Sequence, residues 1–109
     1  MSAKGAFPRI VRQGVYGRSE GLCERCGMAK VTDLHHRRPR GMGGDRREDT
    51  ASMDNALGLC RPCHDWVEGN RVEAREKGFL VRSSHNPATT PVCYRGRMML
   101  LSEVTPIYD

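Results

Sequence analysis

The chain has no apolar run approaching the roughly 18 residues that a membrane span needs. Its first residues, MSAKGAFPRIVRQG, carry no apolar stretch of the signal-peptide kind. Both absences point to an intracellular, cytoplasmic protein with no membrane partner. Large side chains are scarce too: two phenylalanines, three tyrosines and one tryptophan in 109 residues. A domain of this size buries only about 60–70% of the surface its unfolded chain exposes, and ordering each residue costs about 1–2 kcal/mol. The length suits one domain, and its thin core needs outside help. No internal repeat is visible, which excludes a repeat array.

Acidic residues are the minority among the charges, 13 against 18 lysines and arginines, for a net charge of +5. The excess is mostly arginine and favours a polyanionic partner, nucleic acid first. Along the chain, residues 1–8 read as a flexible lead. Arg9 to Ser19 carries a helical pattern weakened by Gly14 and Gly17. Lys30 to His36 alternates as a short strand, and Arg37 to Met53 reads as a long loop. Pro62 to Gly78 reads as helix in two pieces broken at Gly69, with Asn70 capping the second, Val72, Ala74 and Phe79 on or near its buried side, and Gly78 stopping it. After a polar linker, Val92–Tyr94 and Met98–Leu101 read as a hairpin turning at Arg95, Gly96 and Arg97.

Five cysteines are present, and four form two C-x-x-C knuckles, Cys23 with Cys26 and Cys60 with Cys63. One tight turn lets two thiolates meet one ion, so two knuckles make a closed tetrahedral Zn²⁺ site. Two disulfides would need an oxidising compartment and strained short loops. A redox pair needs one knuckle, not two, and an iron–sulfur cluster remains open as a four-cysteine alternative. Structural zinc contributes about 10–16 kcal/mol in small finger peptides, enough to supply what the core lacks. Cys93 stands apart, in a strand, as a small core hydrophobe.

A zinc closed by four sulfurs leaves His35, His36 and His64 unspent, with Asn55 before the second knuckle and Glu68 one helical turn after His64. The stretches "DLHHRRPRGMGG", "MDNALGLC" and "CRPCHDWVE" resemble the HNH nuclease family. The paired histidines with a proline three residues later resemble the start of that motif in colicin DNases, and the double C-x-x-C resembles its zinc-stabilised branch. Residues 9 to 82 as a whole are similar to small HNH proteins encoded by phages of actinobacteria, and the tail follows them loosely.

The resemblance implies a small α+β fold with a ββα-metal, treble-clef-like core over residues 9–82, an N-terminal helix, and residues 83–109 as linker and hairpin extension. It implies a metal-dependent endonuclease cutting DNA to 5′-phosphate and 3′-hydroxyl ends in a cytoplasm, the host's if the chain is phage-encoded, with the phage terminase as a possible partner. It makes His36 the general base, Asn55 the brace of the loop carrying it, and His35 and His64 ligands of a catalytic Mg²⁺ or Mn²⁺. Neighbours on a strand point to opposite faces, so adjacent histidines can divide ligand and base between them. The family's third ligand is a histidine where this chain has Glu68. A carboxylate is a competent substitute, and Asn70 is the alternative. Arg37, Arg38 and Arg40, with Arg46 and Arg47 beyond, lie beside the base and are expected at DNA phosphates. His85 has no evident chemical role. The rival reading is a non-catalytic treble-clef zinc finger that binds DNA or protein. It accounts for the cysteines and the charge but not for His36, Asn55 and His64 in register.

Overall fold

The first helix, α1 (Arg9–Ser19), matches the expected span despite its glycines. Gly14 is there for closeness: a Cβ on it would meet the Met53 sulfur at 2.4 Å. The helix ends in left-handed backbone at Glu20, φ 57°, and the first knuckle follows. The computed structural model describes residues 6–39 and 47–104; Arg40, Arg46 and most of the expected flexible lead lie outside them.

Two antiparallel two-stranded sheets and three α-helices make up the regular structure of the described residues. In the first sheet β1 (Asp33–His36) pairs with β2 (Ala56–Leu59), His35 opposite Leu57 and His36 opposite Ala56. The strand is shorter than the expected Lys30–His36 because Lys30 bridges Leu22 instead and closes the first knuckle. The expected loop between the strands contains a 3-10 turn, Glu48–Ala51.

The expected two-piece helix is α2 (Arg61–Gly69) and α3 (Arg71–Glu76). Asn70 stands at the expected N-cap position of α3, its carbonyl accepting from the Ala74 amide at 2.8 Å, but its side chain makes no cap hydrogen bond. Its backbone, φ −134° and ψ 55°, ends α2, and its side-chain Nδ2 donates to the Trp66 carbonyl. Val72 is 72% exposed rather than facing inward, whereas Ala74 and Phe79 are buried. Two residues span about 200° of helix, so Ala74 inside places Val72 outside. Gly78 ends the segment at φ +80°, where a Cβ would strike the Pro91 carbonyl oxygen at 1.9 Å.

The C-terminal hairpin pairs β3 (Val92–Tyr94) with β4 (Arg97–Met99). Its turn has two residues, Arg95 and Gly96, both at positive φ, which suits the twist of paired strands. Tyr94 therefore pairs with Arg97, one residue earlier than expected, and the chain leaves the strand into a 3-10 turn at Leu101–Glu103. Val92 and Leu101 share one buried cluster with Leu57, Leu59 and Phe79, so the hairpin packs into the same core as the first sheet. Among the described residues no helix is long and apolar enough to cross a membrane.

A buried ion pair joins these pieces. Arg18 grips Glu24 through Nε and Nη2 at 2.8 and 2.7 Å and also donates to the Met53 and Ala56 carbonyls, while Glu24 accepts from the Gly58 amide. Every charge there is matched, the condition under which an ion pair tolerates burial.

Candidate metal centres

The two knuckles bring Cys23, Cys26, Cys60 and Cys63 together, their sulfurs all within 4.8 Å of one another. Cys26 Sγ and Cys60 Sγ stand 3.9 Å apart. A tetrahedron with Zn–S bonds of about 2.3 Å has an edge of about 3.8 Å, so this pair already stands at the spacing that zinc needs. The first knuckle folds its amides onto its own sulfurs: Arg25 and Cys26 N–H point at Cys23 Sγ, and Met28 N–H at Cys26 Sγ. Cys60 caps α2 and Cys63 lies in its first turn, where the helix end favours thiolate. Burial pushes the Cys63 thiol up to about 12 despite the pull of Arg25. Burial also acts against ionising Cys23, but hydrogen bonds from backbone amides outweigh it and bring that thiol to about 7. The Cys23 thiolate forms readily, while burial resists ionisation of Cys60 and Cys63; a dication shared by the cluster relieves that resistance. Cys93 is half-buried and packs against the core.

Arg25 is a support that the sequence reading missed. Its Nη1 donates to Cys63 Sγ at 3.3 Å, and its guanidinium lies 3.9 Å over the Trp66 ring. A cation between two cysteines is a visible signal for such outer support, but nothing in the spacing named Trp66 as its platform.

The second cluster is His35, His64 and Glu68, with ligand atoms within 4.8 Å of one another. β1 supplies the first and α2 the other two. Each histidine has one ring nitrogen already engaged. His35 Nε2 lies 2.8 Å from the Phe79 carbonyl oxygen, to which it donates, leaving Nδ1 as the lone pair. His64 Nδ1 lies 2.9 Å from Asp33 Oδ2, leaving Nε2. Such partners fix the tautomer of metal-binding histidines. Burial pulls His35 down to about 4, against the Phe79 carbonyl, so the ring is neutral near pH 7 and able to bind an ion. Asp33 is held below the usual carboxylate range by His64 and then Arg61. Asp33 was legible in principle, since residues two apart on a strand share a face and His35 follows it by two.

His36 is half-buried and stacks on Phe7, ring centroids 3.9 Å apart and 15° from parallel. With His35, His64 and Glu68 it borders a cavity of about 260 Å³. Asn55 is fully buried and braces the chain just after His36. Its Oδ1 accepts from the Arg38 amide at 2.7 Å, and its Nδ2 donates to the Arg38 and Thr50 carbonyls. It does not meet the ion cluster.

Two of the expected phosphate contacts are corrected. Arg37 is wholly buried and donates to the carbonyls of Gly78, Asp54, Pro87 and Thr90. Arg38 is 3% exposed and pairs with Asp49 and the His85 carbonyl. Neither guanidinium is presented to a ligand: carbonyls of irregular segments close around Arg37, and the Asp49 carboxylate with the His85 carbonyl holds Arg38. Arg47 donates to the Ser83 carbonyl. Arg40 lies outside the described residues.

No protein-family model, curated protein or solved structure matches the chain.

Proposed function

We propose that the chain is a metal-dependent HNH endonuclease that hydrolyses DNA phosphodiester bonds. One observation carries this reading: two histidines and a carboxylate bring ligand atoms within 4.8 Å of one another, each histidine has one ring nitrogen held by an oxygen of another element, and His36 borders the same cavity. A structural zinc alone accounts for none of this. On this reading β1, β2 and α2 form a ββα-metal core, treble-clef-like, with the four-cysteine zinc site as its clamp.

The residues fit a divalent ion. His35, His64 and Glu68 would hold Mg²⁺ or Mn²⁺, which neutralises charge on the phosphate and on the departing 3′ oxygen. His36 takes the proton from the attacking water, a task to which an imidazole is suited near neutral pH. Phe7 against one face limits the orientations of its ring. Asn55 holds the backbone two residues on and keeps the base aimed. The cut leaves 5′-phosphate and 3′-hydroxyl ends. A phage terminase as working partner, and a host cytoplasm as workplace, rest on the family resemblance alone.

The four-cysteine cluster by itself favours the other reading, a zinc finger without catalysis. Supercoiled plasmid incubated with zinc-loaded protein separates the two. Nicking should require Mg²⁺ or Mn²⁺, stop with EDTA, and vanish in His36→Ala while Mn²⁺ still binds. A parent protein that never nicks across a panel of divalent ions overturns the nuclease reading.

A further inference from the structure

We infer that Arg71 is the phosphate-holding cation of the His35–His64–Glu68 site, stored on Glu68 until an ion takes that carboxylate. The inference rests on the nuclease reading of that site. A helix turns about 100° per residue, so positions 64, 68 and 71 fall within about 60° of one another on a continuous helix. The break between α2 and α3 at Asn70 does not scatter them, because Arg71 Nη1 lies 3.0 Å from Glu68 Oε1. Both side chains are about half exposed, 46% and 52%, so the pair is open to exchange.

The cavity that holds the candidate ligands has Arg71 as its one guanidinium among the described residues. The neighbours that could compete are committed elsewhere. Arg37 and Arg38 are closed into the core, and Arg61 reaches Asp33 and Asp65. A dication on Glu68 would displace Arg71 by like charge and leave the cavity mouth strongly positive. A phosphodiester neutralises both cations at once. Arginine suits this, since its planar fork matches two phosphate oxygens.

The inference sets two effects of opposite sign. Arg71→Ala should bind Mn²⁺ about two- to fivefold more tightly in calorimetry on zinc-loaded protein, because an exposed competitor for Glu68 is gone. Affinity for a short DNA duplex should fall about tenfold in Mn²⁺, measured by anisotropy on a His36→Ala background so that the duplex survives. The salt slope of that affinity should drop by about one. Arg71→Lys should recover part of the affinity. Unchanged duplex affinity and slope in Arg71→Ala overturn the inference, as does a parent background that binds no duplex. A parent that binds duplex through Arg71 but never nicks plasmid leaves this assignment standing and removes the nuclease reading instead.

Discussion

Asp33 Oδ2 and His64 Nδ1 lie 2.9 Å apart, across the junction between β1 and α2. The carboxylate fixes the ring from behind and makes its other nitrogen a better donor to an ion. Loss of such a partner usually costs about 10–100-fold in metal affinity. Asp33→Asn should therefore weaken Mn²⁺ binding by about that factor while the zinc content stays at one ion per chain. Asp65→Asn, at an exposed carboxylate outside the cluster, is the control and should leave Mn²⁺ affinity alone. Equal effects of the two would mean that Asp33 acts through general charge and not through His64.

Arg37 gives a stability prediction where sequence reasoning expected a binding one. Arg37→Met removes a guanidinium that donates to the carbonyls of Gly78, Asp54, Pro87 and Thr90, of which that of Pro87 also accepts from the Thr90 amide at 3.3 Å. Each buried carbonyl left unpaired costs about 1–3 kcal/mol, partly recovered if water enters. A loss of about 3 kcal/mol or more in denaturant unfolding is expected, with no change in the salt slope of DNA binding by the folded fraction. A folded, undiminished Arg37→Met with a flattened slope would restore Arg37 to the phosphate.

What the sequence showed and what it hid divide along physical lines. The C-x-x-C pairs were legible because a tight turn fixes both sulfurs locally, and the spacing of the two knuckles left only their meeting to the fold. Helix α1 and the break near Gly69 were legible as local periodicity and its interruption. The fate of Arg37 was not, because its acceptors lie 17 to 53 residues away in sequence. Val72 was misplaced because a helix of six residues is too short for periodicity to choose its inner face. His35, His64 and Glu68 could be named as candidates, but the Phe79 carbonyl behind His35 is a backbone group that no residue type announces.

His35 supplies a pH prediction. Its folded value is depressed to about 4, mainly by burial, against about 6.5 for a free imidazole. Between those values the unfolded chain binds more protons than the native one. Stability from this group is therefore complete above about pH 6.5 and is lost as pH falls toward 4, by roughly 3 kcal/mol in all. Zinc release adds its own acid sensitivity, so the informative quantity is a difference. His35→Gln should flatten the decline in stability between about pH 6.5 and 5 relative to the parent. Parallel curves would mean that His35 does not carry that titration.

Removing zinc should unfold the domain, because the four cysteines supply both the ligands and part of the buried cluster. Trp66 is the only tryptophan, and Arg25 lies between its ring and Cys63. Chelation should therefore red-shift its emission together with loss of helical circular dichroism, and Cys23→Ser should reproduce both. Metal analysis finding no tightly held ion in the purified protein would contradict the zinc assignment.

On the proposed nuclease reading, Glu68 is the third ligand of the ion. Glu68 sits in the cluster with His35 and His64, whereas Asn70 is turned back to the Trp66 carbonyl, where it closes α2. Glu68→Ala should therefore lose most plasmid nicking at low Mn²⁺ and regain part of it as Mn²⁺ rises, while Asn70→Ala should cost mainly stability. A hard carboxylate favours Mg²⁺ and Mn²⁺ over softer ions. Glu68→His should shift the preference toward Ni²⁺ or Co²⁺, in nicking and in ion affinity measured by calorimetry, because a third imidazole replaces an oxygen donor. Full nicking by Glu68→Ala at low Mn²⁺, beside a folded but inactive Asn70→Ala, would transfer the ligand role to Asn70. The chain at Gly69 would then have to open further than the hydrogen bond from Asn70 to Trp66 allows.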